Sequence, residues 1–441
     1  MANFSKSNVP QFSVDVYQNE FLPEGGREVN AIVTVTSTGG GTSGRAASGA
    51  GADAGVVIML DCSGSMDYPP TKMRGARDAT AAAIDALRDG TSFAVVAGTH
   101  VAKEVFPGDG RLAVAGPATR GQAKDALRRL SAGGGTAIGT WLRLADRLLG
   151  SAEVSIRHGI LLTDGRNEHE SPEDLRAALD ACAGRFTCDA RGVGTDWEVK
   201  EVTGIASALL GTADIVADPQ GLTADFTTMM ENAMGKEVAD VALRLWTPVG
   251  VEIGFVKQVA PTVEELTARR TEATARAGDY PTGSWGDESR DYHVCVRVPQ
   301  AGIGQEMLAA RVSLIAPDPL GDAPKALGQG LVRAVWTDDM AMSTSINPQV
   351  AHYTGQAELA QVIQQGLDAR KSGDHDGATA KLGRAVQLAA ASGNEDTAKL
   401  LSKVVDVVDA ATGTVRLKAK VADADEMTLE TRSTKTVRVK R

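Results

Sequence analysis

Five oxygen-bearing side chains stand in three short loops of the sequence, and their types suit a hard metal ion. The loops read Asp-Cys-Ser-Gly-Ser, Gly-Gly-Gly-Thr and Thr-Asp-Gly, and the candidate ligands are Asp61, Ser63, Ser65, Thr136 and Asp164. Carboxylate and hydroxyl oxygens without sulfur or imidazole favour Mg²⁺, with Mn²⁺ or Ca²⁺ as alternatives. Neutral hydroxyls leave a dication under-neutralised, so we expect the metal to accept a further carboxylate from a partner protein.

The elements that must position these loops follow the pattern of a parallel sheet covered by helices. Short apolar runs predict buried strands, and helical patterns with start and stop signals lie between them. Because the carboxyl ends of such strands gather at one edge, we expect the three loops to meet there. The predicted strands are 56–60, 93–98, 159–163, 186–193 and 213–217, and the predicted helices are 72–89, 121–130, 139–149, 172–183, 197–210 and 222–234.

This α/β segment resembles a von Willebrand factor A (VWA) domain, and the five residues match that family's metal-ion-dependent adhesion site, or MIDAS. The phrase GGGTAIGTWL, which runs from Gly133 to Leu142, is typical of bacterial members. It is most similar to cytoplasmic proteins of the tellurium-resistance and stress-associated group. The resemblance implies a doubly wound, Rossmann-like fold, a Mg²⁺ ion held by the five residues, and a role in protein binding.

Other interpretations of the same residues stay open at this stage. A D-x-S-x-S loop also serves as a helix-capping turn without metal, and the glycines at 133–135 also suit a plain turn. His158 and His169 have no partner at ligand spacing, so we interpret them as packed or solvated. The acidic residues that follow Asp164 are typical of a solvated loop.

The segments around the α/β domain predict two further kinds of structure. A two-residue apolar period before and after the domain predicts one β-sandwich, with the α/β domain inserted between its strands. Alanine- and leucine-rich helical patterns follow at 356–371, 375–391 and 394–410. The predicted domains are an N-terminal β hairpin (1–37), a Gly/Ser/Ala-rich linker (38–54), the VWA domain (55–235), the β-sandwich (236–345), a helical segment like one tetratricopeptide repeat (350–410) and a basic C-terminal tail (411–441).

Composition narrows the classes of function. The 441 residues carry 46 basic and 56 acidic side chains, and this balance disfavours nucleic acid as the main partner. No apolar run has the length of a membrane span or a signal peptide, so we expect a cytoplasmic protein. Four cysteines without a CxxC pair are expected to be reduced and packed.

These observations favour a metal-dependent scaffold or adaptor. We predict no catalytic residue and no enzymatic activity, because the sequence carries no nucleophile elbow, P-loop or zinc-protease motif. The alternatives are a Mg²⁺-dependent hydrolase, a subunit of a chelatase-like AAA ATPase machine, and a passive spacer.

The C-terminal sequence suggests a regulatory site. Thr434 and Thr436 stand among basic residues with an aliphatic residue three positions later, a spacing that readers of the forkhead-associated type favour. The family resemblance adds a Ser/Thr kinase and a PP2C-type phosphatase as expected partners. The alternative is a basic tail that aids solubility or forms a final edge strand.

Overall fold

The computed structural model describes residues 10–39, 53–318 and 323–439. The chain divides into two compact units, one over 42–239 and one that combines 1–41 with 240–441. The α/β unit is thus an insertion in the β unit, as the sequence predicted. Most of the predicted linker, 40–52, lies outside the described residues. Among the described residues, no helix is both long and apolar enough to cross a membrane.

The N-terminal hairpin pairs β1 (Gln11–Gln18) with β3 (Glu28–Thr38), and the short β2 (Phe21–Leu22) lies between them in sequence. The pairing is antiparallel and sets Val14 opposite Val35, as expected from the alternating valines. Gly25 has a φ of 77° in the connection, a conformation that glycine adopts without steric cost.

The α/β unit is built on a sheet with strand order β10-β9-β8-β4-β5-β6, and β7 pairs with β5. The pairings of β4 with β5 and β8, and of β9 with β8 and β10, are parallel, whereas β6 and β7 pair antiparallel with β5. Because β4 and β8 are parallel neighbours, the loops after both strands emerge at the same edge. The elements are β4 (Ala54–Asp61), α1 (Thr71–Ala86), β5 (Ser92–Gly98), β6 (Ala102–Phe106), β7 (Ala113–Val114), α2 (Pro117–Arg128), α3 (Ile138–Gly150), β8 (Ile156–Thr163), α4 (Pro172–Cys182), β9 (Thr187–Val193), α5 (Val199–Ala208), β10 (Ala213–Val216) and α6 (Leu222–Met234).

Two sheets form the β unit, with strand orders β1-β3-β16-β12-β13 and β14-β15-β11-β17-β18-β2. Their faces pack together: the Phe12 and Trp285 rings lie 5.8 Å apart, one from each sheet. Gly330 lets β18 approach β1, because an added Cβ would lie 2.5 Å from Val16. The strands are β11 (Val238–Trp246), β12 (Glu252–Ala260), β13 (Glu264–Glu265), β14 (Thr271–Thr274), β15 (Ala277–Trp285), β16 (Glu288–Arg297), β17 (Glu306–Ala316) and β18 (Lys325–Trp336).

The C-terminal segment is mainly helical, and its two long helices, α8 and α9, pack closely against each other. An added Cβ at Gly366 would lie 2.8 Å from Leu382, so this glycine permits the close approach. Side chains of Asn347, Asp374 and Asn394 accept hydrogen bonds from first-turn amides and fix the starts of α8, α9 and α10. The elements are α7 (Met340–Ser343), α8 (Pro348–Lys371), α9 (His375–Ser392), α10 (Glu395–Val404), β19 (Val405–Asp409), β20 (Thr414–Leu417) and α11 (Asp423–Arg432).

Two expectations for this segment are wrong. The third helix ends at Val404, and 405–409 is a strand, because its β-branched residues pair with β20 across a turn at Gly413. The predicted basic C-terminal tail (411–441) is also folded in its described part: α11 buries Leu429, and Lys435 forms a β-bridge with Thr262.

Candidate metal centre

Three loops meet at one edge of the α/β sheet, as the sequence predicted. Asp61 is the last residue of β4, Asp164 follows the last residue of β8, and Thr136 lies two residues before α3. Backbone hydrogen bonds join the first two loops: Gly64 donates its amide to the Gly134 carbonyl, and Gly133 donates to the Cys62 carbonyl. The fold therefore fixes the spacing of the candidate ligands.

Asp61 is fully buried and holds the first and third loops together. One carboxylate oxygen accepts the Ser63 amide at 2.8 Å, and the other accepts the Thr163 hydroxyl at 2.7 Å. Burial raises the pKa of the Asp61 carboxyl, hydrogen bonds from Ser63 and Thr163 oppose that shift, and the nearby Asp164 carboxylate adds to it. Two buried carboxylates in proximity repel each other, so a positive charge nearby stabilises their ionised forms.

A chain of hydrogen bonds links the hydroxyls of the first loop to Asp164. The Ser63 and Ser65 hydroxyl oxygens lie 2.9 Å apart, and Ser65 donates its proton to Asp164 Oδ1 at 2.6 Å. Donation to the carboxylate leaves lone pairs on the Ser65 oxygen for a cation. Ser65 is exposed whereas Asp61, Ser63 and Asp164 are buried, so the group opens to solvent at Ser65.

Thr136 completes the group through the space beside Gly165. An added Cβ at Gly165 would lie 3.1 Å from the Ser65 hydroxyl oxygen and 3.8 Å from the Thr136 hydroxyl oxygen. Both hydroxyls therefore border a space that glycine leaves open. Oxygen donors around such an opening fit a hard divalent cation.

The loop after Asp164 has a structural role that the sequence interpretation missed. Asn167 accepts a hydrogen bond from the Ile138 amide at 2.7 Å, and Glu170 accepts one from the Gly139 amide at 2.8 Å. These contacts satisfy free amides at the start of α3. The expectation of a merely solvated acidic loop is wrong at both residues, because they hold α3 and, with it, the loop that carries Thr136.

His158 and His169 form hydrogen bonds within the protein, which account for both side chains without a bound metal. His158 is buried and pairs with Thr187 and Asp189, each at 2.9 Å. His169 is exposed, and its Nδ1 accepts the Thr136 amide at 3.3 Å. Within the described ranges, no three His, Cys, Asp or Glu side chains are grouped so as to hold a metal ion. The candidate centre differs from such a cluster because three of its five residues contribute hydroxyl oxygens.

Lys72 is a component of the centre that the sequence interpretation missed. Its ammonium lies 2.8 Å from Asp164 Oδ2 and 3.2 Å from Asp196 Oδ2. The residue belongs to the buried stripe of α1, with Ala76, Ala79 and Ala83. A lysine at helical spacing with Ala76, Ala79 and Ala83 is the sequence signal by which an internal partner could have been predicted.

Thr434 and Thr436 lie against the β unit. Thr436 donates its hydroxyl to the Val259 carbonyl at 2.7 Å, and the Thr434 carbonyl accepts the Val263 amide at 2.8 Å. A kinase would need this segment to be released before it could reach the Thr436 hydroxyl. Phosphorylation of either threonine stays a prediction.

Comparisons with known proteins match this architecture. A model of the von Willebrand factor type A domain matches residues 54–215, and a model of the von Willebrand factor type A C-terminal domain matches residues 387–433. The second match includes α11, in agreement with a folded C-terminal segment. A comparison with curated proteins gave no match.

Solved structures extend the similarity to the whole chain. The ArnB paralog VWA2 from Sulfolobus acidocaldarius is 14% identical over 96% of this chain and 98% of that one, with a TM-score of 0.60, which shows a shared fold alone. A von Willebrand factor type A protein from Catenulispora acidiphila is 53% identical over 99% of both chains, with a TM-score of 0.92. Identity at that level over nearly every residue, together with the two family models, places the chain in the von Willebrand factor type A family.

Proposed function

We propose that the chain is a metal-dependent scaffold or adaptor that binds a protein partner at the loop edge of its α/β unit. Domains of the von Willebrand factor type A family commonly bind a divalent metal and generally mediate metal-dependent protein interactions. Here Asp61, Ser63, Ser65, Thr136 and Asp164 hold Mg²⁺, and a partner carboxylate completes its coordination. The supporting observation is the hydrogen-bonded chain from the Ser63 hydroxyl through the Ser65 hydroxyl to Asp164, in which Ser65 is exposed to solvent.

The state of the two carboxylates favours binding over hydrolysis. Both oxygens of Asp61 accept hydrogen bonds from the protein, and both oxygens of Asp164 accept from Ser65 and Lys72. A hydrolytic site needs a general base with an oxygen directed at the attacking water. In this centre the carboxylates serve to orient hydroxyls and to supply negative charge.

Metal binding is tested by calorimetry with Mg²⁺ on the full chain and two variants. We expect Ser65→Ala to weaken binding at least about tenfold, because it removes a donor oxygen from an exposed loop position with little effect on the fold. Asp67→Asn is the matched control, since Asp67 is an exposed carboxylate of the same loop outside the proposed ligand set. Equal binding by wild type and Ser65→Ala would overturn the proposal.

A second prediction addresses the opening beside Gly165. We expect Gly165→Ala to weaken Mg²⁺ binding by about tenfold, because its Cβ would occupy space between the Ser65 and Thr136 hydroxyls. Gly133→Ala is the control, since a Cβ at Gly133 meets nothing within 4 Å. If both alanine variants bound Mg²⁺ equally well, the metal would not lie beside Gly165.

Partner binding is tested by affinity purification with wild type and Ser65→Ala, each with Mg²⁺ and with chelator. A partner retained only by wild type in Mg²⁺ supports the adaptor function, whereas equal retention in all four samples contradicts it.

The cytoplasmic location, the link to tellurium resistance or stress, and the kinase, phosphatase and forkhead-associated partners stay predictions.

A further inference from the structure

Lys72 places a buried positive charge directly on the candidate metal centre. Its side chain is 9% exposed, the Asp164 side chain is fully buried, and the ammonium lies 2.8 Å from the Asp164 carboxylate. The second partner, Asp196, is 70% exposed and lies 3.2 Å from the ammonium. Solvent screens the pair with Asp196 strongly and the pair with Asp164 only weakly.

The Lys72 contact engages the second carboxylate oxygen of Asp164. Ser65 occupies Oδ1 of Asp164, and Lys72 occupies Oδ2. Lys72 comes from the first turn of α1, so this helix is tied to the loop after β8 through one charge-assisted hydrogen bond. With both oxygens engaged by the protein, Asp164 acts mainly by orienting the Ser65 hydroxyl and by its charge.

Lys72 also changes the net charge of the centre. Asp61 and Asp164 together contribute two buried negative charges, and Lys72 offsets one of them, while the charge of the exposed Asp196 is largely screened by solvent. A bound dication therefore leaves a net positive charge, which an external carboxylate neutralises. Without Lys72 the formal charges of the two aspartates equal that of the dication, so the external carboxylate expected from the neutral hydroxyl ligands would be bound less strongly. Charges at such short range in a buried setting interact strongly.

We propose that Lys72 lowers the affinity of the centre for the metal alone and thereby couples metal binding to an acidic group on the partner. This inference rests on the proposed function and concerns the regulation of the same site. Lys72 is a positioning and charge-setting residue in this scheme, and it does not ligate the metal. Its presence makes the metal-bound centre a receptor for carboxylate.

The test compares Mg²⁺ binding by wild type, Lys72→Met and Lys72→Arg, with and without acetate as the soluble carboxylate. We expect Lys72→Met to bind Mg²⁺ about tenfold more tightly in the absence of acetate. Acetate should strengthen Mg²⁺ binding by wild type and by Lys72→Arg, and much less by Lys72→Met. Thermal unfolding gives a second readout: Lys72→Met should be less stable than wild type without metal and should gain more stability from Mg²⁺.

A second variant covers the case in which Lys72→Met does not fold. Lys72→Gln retains a hydrogen-bond donor for Asp164 and removes the charge, and we expect the same tighter binding. If neutral variants bind Mg²⁺ no more tightly than wild type while Ser65→Ala loses binding, the role of Lys72 is overturned and the proposed function stands. If Ser65→Ala binds like wild type, the proposed function itself fails.

Discussion

Replacing Arg438 with methionine is expected to lower the free energy of unfolding of the β unit by about 3 kcal/mol, the lower end of the cost of breaking a buried ion pair. Arg438 forms two hydrogen bonds, at 2.7 and 2.8 Å, with the carboxylate of Asp291 on β16. The Asp291 side chain is 3% exposed, and the variant removes the guanidinium that pairs with its charge. The lower end applies because the Arg438 side chain is 42% exposed.

Urea unfolding at neutral pH measures this change. Arg416→Met is the matched control, because Arg416 is an exposed arginine of the same C-terminal segment. A second comparison adds Asp291→Asn to Arg438→Met. We expect the double variant to have a higher free energy of unfolding than Arg438→Met alone, because the buried charge of Asp291 is gone. A change below about 1 kcal/mol in Arg438→Met would mean that the pair behaves as a surface salt bridge.

The stability of the β unit is expected to fall by about 3 kcal/mol as the pH decreases from about 6.5 to about 4, through His293. Burial lowers the pKa of this histidine to about 4, and nearby Lys257 adds to the shift. Its Nε2 lies 2.9 Å from Asn30 Oδ1, and its ring packs edge-on against Phe255. Between the two pKa values the unfolded chain binds a proton that the folded chain does not, so acid favours unfolding.

Urea unfolding at a series of pH values tests this expectation. His293→Gln should remove most of the change in the free energy of unfolding between pH 4 and 6.5, because glutamine does not titrate and can still donate a hydrogen bond to Asn30. The control is His375→Gln, since His375 is exposed at the start of α9. A slope in His293→Gln equal to that of wild type would assign the acid sensitivity to other groups.

The sequence predicted the α/β core because its strands are buried runs with recognisable helix boundaries between them. Ser171 illustrates this: it accepts the Asp174 amide and starts α4 with Pro172 next to it, and the predicted helix 172–183 begins at the same residue. The sequence did not predict β15, because Pro281 and Gly283 interrupt the run. Its identity as a strand depends on tertiary contacts, such as the hydrogen bond from Thr282 to the Val241 carbonyl.

The types of the candidate ligands could be predicted from the sequence, whereas the net charge of the centre could not. The residues Asp61, Ser63 and Ser65 form one short motif, and a strand followed by a loop places them together with Asp164. The position of Lys72 among small apolar residues of its helix signals an internal partner, but nothing in the sequence identifies that partner as Asp164, which is 92 residues away. The C-terminal segment was misjudged for a similar reason, since the partner of Arg438 is 147 residues away.

The insertion of the α/β unit has a consequence for synthesis on the ribosome. Strand β3 lies between β1 and β16 in its sheet, and its Thr34 bonds to Asp291 across 257 residues of sequence. At about 5–20 residues per second, β3 waits roughly 13–50 s for that partner to be made. One edge of the nascent hairpin stays unpaired throughout, and unpaired edges invite association with other chains. The inserted unit is therefore synthesised while this edge of β3 is unpaired, and a chaperone that covers the edge would prevent such association.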